Sequence, residues 1–500
     1  MKLLPKLLQL NYTDIRKGMA PDNIEDMTIP WQNLVNMRPM QNGILPIAGL
    51  SALVDVSIGV ASSYFLMDNW NYSVTTGTYY GLVGVVNPTT HELLVYKLDS
   101  AGTFTLTNTA KKFSAIEHGT GIINQVSTVN WGEWRAICCG VEVNGTPGEG
   151  LLLAKYPAGT YAAVVGAGIP RSIFLHSPHV LGFNYPGNTD RFAWCTADDI
   201  ETWTVTAANS AGDLNIREFA GIGIVCVAAL GKSIAAYSSE GMAVISYIGA
   251  PLYYGYEMAI PDSIGAVSQK AVVAVGNNNY GLCAKGFFKT DGVNYEWIGR
   301  DRIWEYFLQT SSGFNLSRTV AVHLESKTEI WWTITSTNFA APSIAFVYNY
   351  TLDAWFQSNL TGNGAMPEVG THPAVQGYQS TVYQKEIGNQ IRLVSSFTNY
   401  SSSATSKATD FGESSIYKFL QAVGIENNLS NNASPYTVTF TASADLVSGL
   451  PIALKLSTSK LYFALVTGRY FSLIITENST SKLTMLQTIT FYGKASGGAL

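Results

Sequence analysis

Five hundred residues are more than one ordinary domain and enough chain to bury a large core. Charged residues make up 13% of the sequence, against a usual share of about 25%, while aromatic residues reach 12%; this excludes a solvent-bathed helical enzyme and suits a β-rich protein with wide contacts to other subunits. A net charge of −5 without any run of Lys or Arg excludes a conventional nucleic-acid binder, whose affinity comes from neutralising phosphates, but not a wall past which DNA slides.

The opening "MKLLPKLLQLNY" resembles a signal peptide, but Lys6 interrupts its apolar stretch and no small-x-small cleavage site follows. Residues 1–55 contain scattered prolines and no clean period, and are expected to form an extended arm lying over another surface. From 56 to 398 the pattern is strand, turn, strand. "YYGLVGVV" (Tyr79 to Val86) and "ELLVYKL" flank "NPTTH"; "EWRAICCGVEV" and "GLLLAKY" flank "NGTPGE". "SIFLHSPHVLGFNY" leads into "RFAWCTADDIETW" (Arg191 to Trp203), "IVCVAALGKSIAAYSSEGMAVISYIG" holds three strands, and "TVAVHLESKTEIWWTIT" and "SIAFVYNYTLDAWFQS" make another set. Runs of β-branched and aromatic residues cut by Gly, Asn and Asp are hairpin signals. The clusters recur at about 45–55 residues, the size of a four-stranded propeller blade. The expectation is an all-β chain with a β-propeller of six or seven blades; a chain of β-sandwiches is the other architecture that fits. A propeller leaves few long sheet edges open.

Residues 399–415 ("NYSSSATSKATDFGESS") read as a Ser/Thr-rich linker. Residues 416–500 alternate apolar and polar positions in "PYTVTFTASADLV", "KLYFALVTGRYFSLIITE" and "KLTMLQTITFYGK" and are expected to form a C-terminal β-sandwich-like domain. The longest apolar stretch, Phe219 to Gly231, is shorter than the roughly 18–20 residues of a membrane span, so neither a membrane anchor nor an export signal is expected. The sequons at Asn71, Asn144, Asn315, Asn359 and Asn478 are then by-products of Asn/Ser/Thr-rich loops.

No constellation in the sequence specifies chemistry. "WCTADDIETW" is similar to the Asp-box turn of sialidase-type propellers, with Ile200 in place of its glycine. Asp198, Asp199 and Glu201 are candidate carboxylates for acid–base work, yet they crowd one turn, whereas glycoside cleavage needs opposed groups. His176 and His179 in "LHSPH" are separated by a proline and make a weak metal or catalytic pair. Cys138, Cys139, Cys195, Cys226 and Cys283 have no C-x-x-C spacing and read as buried reduced thiols. "GAGIP" (Gly166 to Pro170) and "GIGIVC" (Gly221 to Cys226) lack the third glycine of a dinucleotide loop. Trp331 and Trp332 alternate along a strand, which places one ring in the core and one at the surface. No catalytic, cofactor or metal residues are assigned, no cofactor is expected, and binding residues stay undefined.

One ordered set of motifs carries a family resemblance. "WCTADDIETW" (Trp194 to Trp203) is followed by "LGKSIAAYSSEGMAVISYIGAP" (Leu230 to Pro251), "DSIGAVSQKAVVAVGNNNYGLCAKGFFKTDG" (Asp262 to Gly292), "IGRDRIWEYF" (Ile298 to Phe307), "EIWWTI" (Glu329 to Ile334) and "AFVYNYTLDAWF" (Ala345 to Phe356). Together with the opening "NLVNMRPMQNGILPIAGL" and the late "GRYFSLIIT", this order resembles the tail hub, or nozzle, proteins of short-tailed bacteriophages, also called tail tubular protein B or DNA-stabilisation proteins. Departures are Cys195 where a Ser is usual and Ala48 where a Pro precedes the glycine. The resemblance implies a non-enzymatic virion protein, a homo-hexameric ring below the portal and adaptor rings. It would touch tail fibres or spikes, assemble in the bacterial cytoplasm, and extend and seal the channel for ejection of double-stranded DNA without sequence-specific binding. The alternative is a propeller that binds or cleaves glycans at the host surface.

Overall fold

Two-residue turns and strands buried on both faces organise the middle of the chain. In a computed structural model, which describes residues 4–23, 29–47, 127–138, 151–155, 161–312, 314–336, 342–359, 402–409, 411 and 417 and elsewhere the strands named below, seven antiparallel sheets follow one another. Blade 1 holds Ser63–Ser73, Thr78–Val86 and Glu92–Asp99, the last pairing with both Phe104–Leu106 and Lys111–Lys112. Blade 2 is Ser127–Trp131, Trp134–Cys138, Leu151–Lys155 and Ala162–Ala163. Blade 3 is Ser172–His176, His179–Tyr185, Asn188–Trp194 and Gly212–Asn215; blade 4 is Cys226–Leu230, Ser233–Tyr237, Met242–Gly249 and Tyr253–Ile260. Blade 5 is Val272–Val275, Asn278–Cys283, Gly286–Thr290 and Tyr295–Trp297; blade 6 is Phe314–Leu324, Glu329–Ser336, Pro342–Asn349 and Ala354–Asn359. Blade 7 takes Ala365–His372, Thr381–Glu386 and Gln390–Val394 from late in the sequence and its outer strand, Leu50–Asp55, from the beginning.

The first strand of each blade packs beside the first strand of the next, and Ala365–His372 returns to Ser63–Ser73. The described strands therefore close a seven-bladed β-propeller. Ring closure by Leu50–Asp55 ties the two ends of the propeller together by backbone hydrogen bonds. Between blades the faces are filled: Phe183, Phe192, Trp194, Ile234, Ile245 and Tyr254 bury one another between blades 3 and 4.

The ends of the chain build a second unit. One sheet runs Met37–Met40, Gly43–Pro46, Leu486–Ala495, Lys418–Asn427, Leu461–Gly468 and Leu456–Ser457, with Lys6–Leu10 also on Leu486–Ala495. The other runs Trp31–Val35, Ser402–Ser406, Tyr470–Glu477, Tyr436–Ser443 and Gly449–Leu454. Val423, Ile425, Val438, Phe440, Phe471, Leu473, Ile489 and Phe491 fill the space between them, which makes a β-sandwich.

Two expected segments take a different form. Residues 1–55 do not lie over a finished surface: their strands are members of both sandwich sheets and of blade 7, and apart from the local Met37–Met40/Gly43–Pro46 hairpin their partners are hundreds of residues away. The 399–415 segment contains a strand, Ser402–Ser406, with Ser402, Ala404 and Ser406 buried; small side chains let it pass between Trp31–Val35 and Tyr470–Glu477. The turns at "NPTTH" and "NGTPGE", Cys139, and Ala48, Gly49 and Arg469 lie outside the described residues.

Sandwich and propeller are joined as one sheet. Trp31–Val35 pairs in parallel with blade 6 through Val35 and Gln357. Asn36, at φ 55°, donates its N–H to Gln357 O (2.8 Å), and its side-chain oxygen accepts from Asn359 N (2.8 Å). Met19 N donates to Trp355 O (2.8 Å), and the Asp22 carboxylate accepts from Glu305 N (2.7 Å) and Tyr306 N (2.8 Å), capping the Trp304–Thr310 helix. Arg38 and fully buried Glu329 place Nε and Oε1 2.5 Å apart, close but out of line for a hydrogen bond, while Trp331 Nε1 donates to Glu329 Oε2 (2.9 Å).

Candidate functional site

A hydrogen-bonded chain of four side chains joins blades 3 and 4. His176 and His179 close the first hairpin of blade 3, paired across the Ser177–Pro178 turn. The proline thus forms the turn and sets the two rings on adjoining strands. His176 Nε2 lies 2.8 Å from Lys232 O, and a carbonyl can only accept, so Nε2 donates this hydrogen bond. The Tyr254 hydroxyl donates towards His176 O (3.3 Å), and its oxygen lies 3.1 Å from His176 Nδ1. The Tyr254 oxygen also lies 3.3 Å from His179 Nδ1, and His179 Nε2 lies 3.4 Å from the Ser210 hydroxyl. Ser210 Oγ also accepts from Ala197 N (2.7 Å).

His179 is fully buried, and its ring packs on Tyr247, Tyr253 and Tyr254 at centroid distances of 5.8, 5.9 and 5.4 Å. Burial first, and then the His176 ring, hold its pKa down to about 4 against the pull of Asp198. The imidazole is neutral at pH 7. The serine in this chain is buried and its contact to His179 long, so the network fastens elements together and does not present a nucleophile to solvent.

The carboxylates marked in the sequence sit in the adjoining turn. Asp198, at φ 58°, donates its N–H to Pro178 O (2.9 Å), and the Asp199 side chain accepts from Glu201 N (3.0 Å). Ile200 is buried where the Asp-box has glycine, and buried Trp203 donates Nε1 to Ile200 O (2.7 Å). These groups stabilise a turn and do not face one another across a cleft. Trp331 and Trp332 correct an expectation: both are buried. Both faces of blade 6 are covered, Trp332 stacking on Trp355 and meeting Phe287, and Trp331 meeting Phe356. Cys138, Cys195, Cys226 and Cys283 are free and buried, and burial pushes the Cys195 and Cys226 thiols up to about 12. Among the described residues no three His, Cys, Asp or Glu side chains gather to hold a metal ion, and no helix is long and apolar enough to cross a membrane.

Two surfaces went unmarked in the sequence. The innermost strands of blades 2 to 5, Ser127–Trp131, Ser172–His176, Cys226–Leu230 and Val272–Val275, carry no Asp, Glu, Lys or Arg. At the end of the ring where the third and fourth strands of each blade turn, apolar side chains stand in solvent: Val205 in blade 3, Tyr247, Ile248 and Leu252 in blade 4, and Val293 in blade 5. A turn without polar residues, "YIGAPL", was the available signal.

No protein-family model and no curated protein matches the chain. Among solved structures it is similar to the WD40 β-propeller domain of Doa1 (8% identity, covering 69% of this chain and 96% of that one, TM-score 0.39). It is also similar to the β-propeller domain of Myceliophteria thermophila Cps50 (7%, 69% and 98%, 0.42) and to a glycoside hydrolase (11%, 88% and 99%, 0.27). Such distant likenesses carry no argument about activity. The propeller assignment rests on the chain's own sheet order.

Proposed function

We propose that this chain is a structural virion protein, the tail hub or nozzle of a short-tailed bacteriophage, which assembles with copies of itself into a hexameric ring and passes double-stranded DNA without catalysis. The observation that carries the reading is the order of the resembling motifs on the fold. Trp194 to Trp203 begins at the end of the third strand of blade 3, Leu230 to Pro251 holds the second and third strands of blade 4, and Asp262 to Gly292 holds the first three strands of blade 5. Ile298 to Phe307 leads into the connecting helix, and the two Trp-rich motifs lie in blade 6. The helix runs on to Thr310, three residues past the Tyr-Phe with which the family's helix ends. Charge scarcity supports the same reading: a chain with 13% charged residues has surfaces that suit subunit contacts.

The propeller axis of one copy is not the conduit. Seven first strands about 10 Å apart enclose a circle of about 20 Å between backbones, which side chains narrow below the width of a duplex. The channel is therefore the axis of the ring of copies. Under this reading the ring contacts the adaptor and portal above it and the fibres or spikes beside it, in a virion tail assembled in the host cytoplasm. Light scattering and electron microscopy of the purified chain, alone and with its neighbouring tail proteins, test it. Closed rings of cyclic symmetry are expected; a strictly monomeric chain that joins no tail refutes it. Glycan binding, or turnover abolished by Asp199→Ala, would instead place it at the host surface.

A further inference from the structure

The third and fourth strands of blade 4 reach further than their sheet. The Ser233–Tyr237 strand pairs only as far as Ile245, and the Ser233 and Ser246 hydroxyls meet at 3.0 Å. Beyond that point Ser246, Tyr247 and Gly249 pair with Gly255, Tyr254 and Tyr253 alone. The result is a two-stranded ribbon that overhangs the blade. Two strands without a third are marginal in water unless something packs on them. Here the His179 ring and the Tyr254 hydroxyl fasten one side, and Ile248 lies over Gly255, where an added Cβ would come within 3.3 Å of it.

The other side of the ribbon is open. Ile248, Ala250, Pro251 and Leu252 are exposed, Ile248 at 55% and Leu252 at 65%, and Tyr247, whose ring packs on His179, is partly exposed beside them. A consecutive exposed apolar run is a feature that soluble surfaces avoid unless it is used. From Gly241 to Tyr256 there is no Asp, Glu, Lys or Arg, so the ribbon offers nothing to nucleic acid or to a highly charged partner. It fits an apolar, weakly charged surface, and a chain with 13% charged residues supplies one in its own copies. Val205 and Val293 are exposed apolar side chains on the corresponding turns of the neighbouring blades.

We propose that the tip Tyr247–Leu252 is a contact through which each copy of this chain docks on its neighbour in the ring; this rests on the nozzle reading above. A cyclic ring joins two different patches on each copy, and the tip is one of them. Its few side chains cover less than the roughly 800 Å² per partner of a standard interface, so it acts as an anchor inside a wider contact. The tyrosines held by His179 pre-form it, which lowers the entropy lost on docking.

The test is the full-length double variant Ile248→Asp/Leu252→Asp, compared with wild type by sedimentation velocity across a concentration series. An unchanged circular dichroism spectrum and a ring that needs at least about a hundredfold more protein to form are expected, since each anchor contributes a tenfold step or more. Rings at wild-type concentration overturn the inference and leave the nozzle reading standing, whereas a wild-type chain that never assembles removes both. A photo-crosslinking amino acid at position 252, used in the assembled particle, covers the case in which the charged variant misfolds. A cross-link to a second copy of this chain supports the proposal, and one to a different protein, or none, overturns it.

Discussion

Acid should weaken the junction between blades 3 and 4 through one imidazole. In the unfolded chain His179 titrates near 6.5; in the native protein burial and the neighbouring His176 hold it to about 4. Between these values the unfolded state takes up a proton that the native state refuses, so the stability that neutral His179 contributes is complete above pH 6.5 and is lost as the pH falls towards 4. Below about 4 the native state also binds the proton and the loss levels off. The difference in pKa corresponds to at most about 3 kcal/mol, and about 2 kcal/mol is expected at pH 4.5 after local relaxation. The assay is guanidinium unfolding at pH 7 and 4.5 of wild type and His179→Gln, which keeps a polar side chain and does not titrate. Wild type should lose about 2 kcal/mol more than the variant over this interval. Parallel losses within about 0.5 kcal/mol, or an imidazole that titrates near 6.5 by NMR, would refute the buried relay.

Three further substitutions probe how the chain ends are welded to the propeller. Arg38→Met leaves the fully buried Glu329 carboxylate without its cation and should cost about 3–5 kcal/mol in denaturant unfolding, most of it recovered in Arg38→Met/Glu329→Leu. A single variant with wild-type stability would show the pair to be idle. Gly18→Ala should destabilise by more than about 2 kcal/mol, because at φ +76° its Cβ would lie 2.5 Å from Trp355 N; an unchanged unfolding midpoint contradicts the contact. Asp22→Ala removes a carboxylate that accepts two helix N–H groups and should cost about 1 kcal/mol, with Asp22→Asn losing less.

The strands of blades 2 to 6 were legible because each is a short β-branched or aromatic run between turn residues, as in "VCVAALGKSIAAY". Blade order followed from the spacing. Long-range pairing was not legible. Trp31–Val35 and Gly43–Pro46 are short and pair with strands at the far end of the chain, while the Met37–Met40/Gly43–Pro46 hairpin carries Pro39 and Pro46, which obscure its strand pattern. Ser402–Ser406 looked like a linker because its buried side chains are Ser and Ala; the Ser406 hydroxyl accepts from Leu473 N (2.9 Å) inside the sandwich. Trp331 and Trp332 misled because alternation distinguishes inside from outside only where one face of a sheet meets water, and blade 6 has none there. His176 and His179 became a pair through a two-residue turn, a relation that a helix or strand period does not express.

Ring formation by the whole chain is the claim on which the functional account stands. Single-particle imaging of the purified, concentrated protein measures it directly: closed rings with one propeller per copy, around an opening wide enough for a duplex and free of clustered Lys and Arg, are predicted. Isolated propellers at every concentration, with and without the neighbouring tail proteins, or an opening coated with basic side chains, would contradict it.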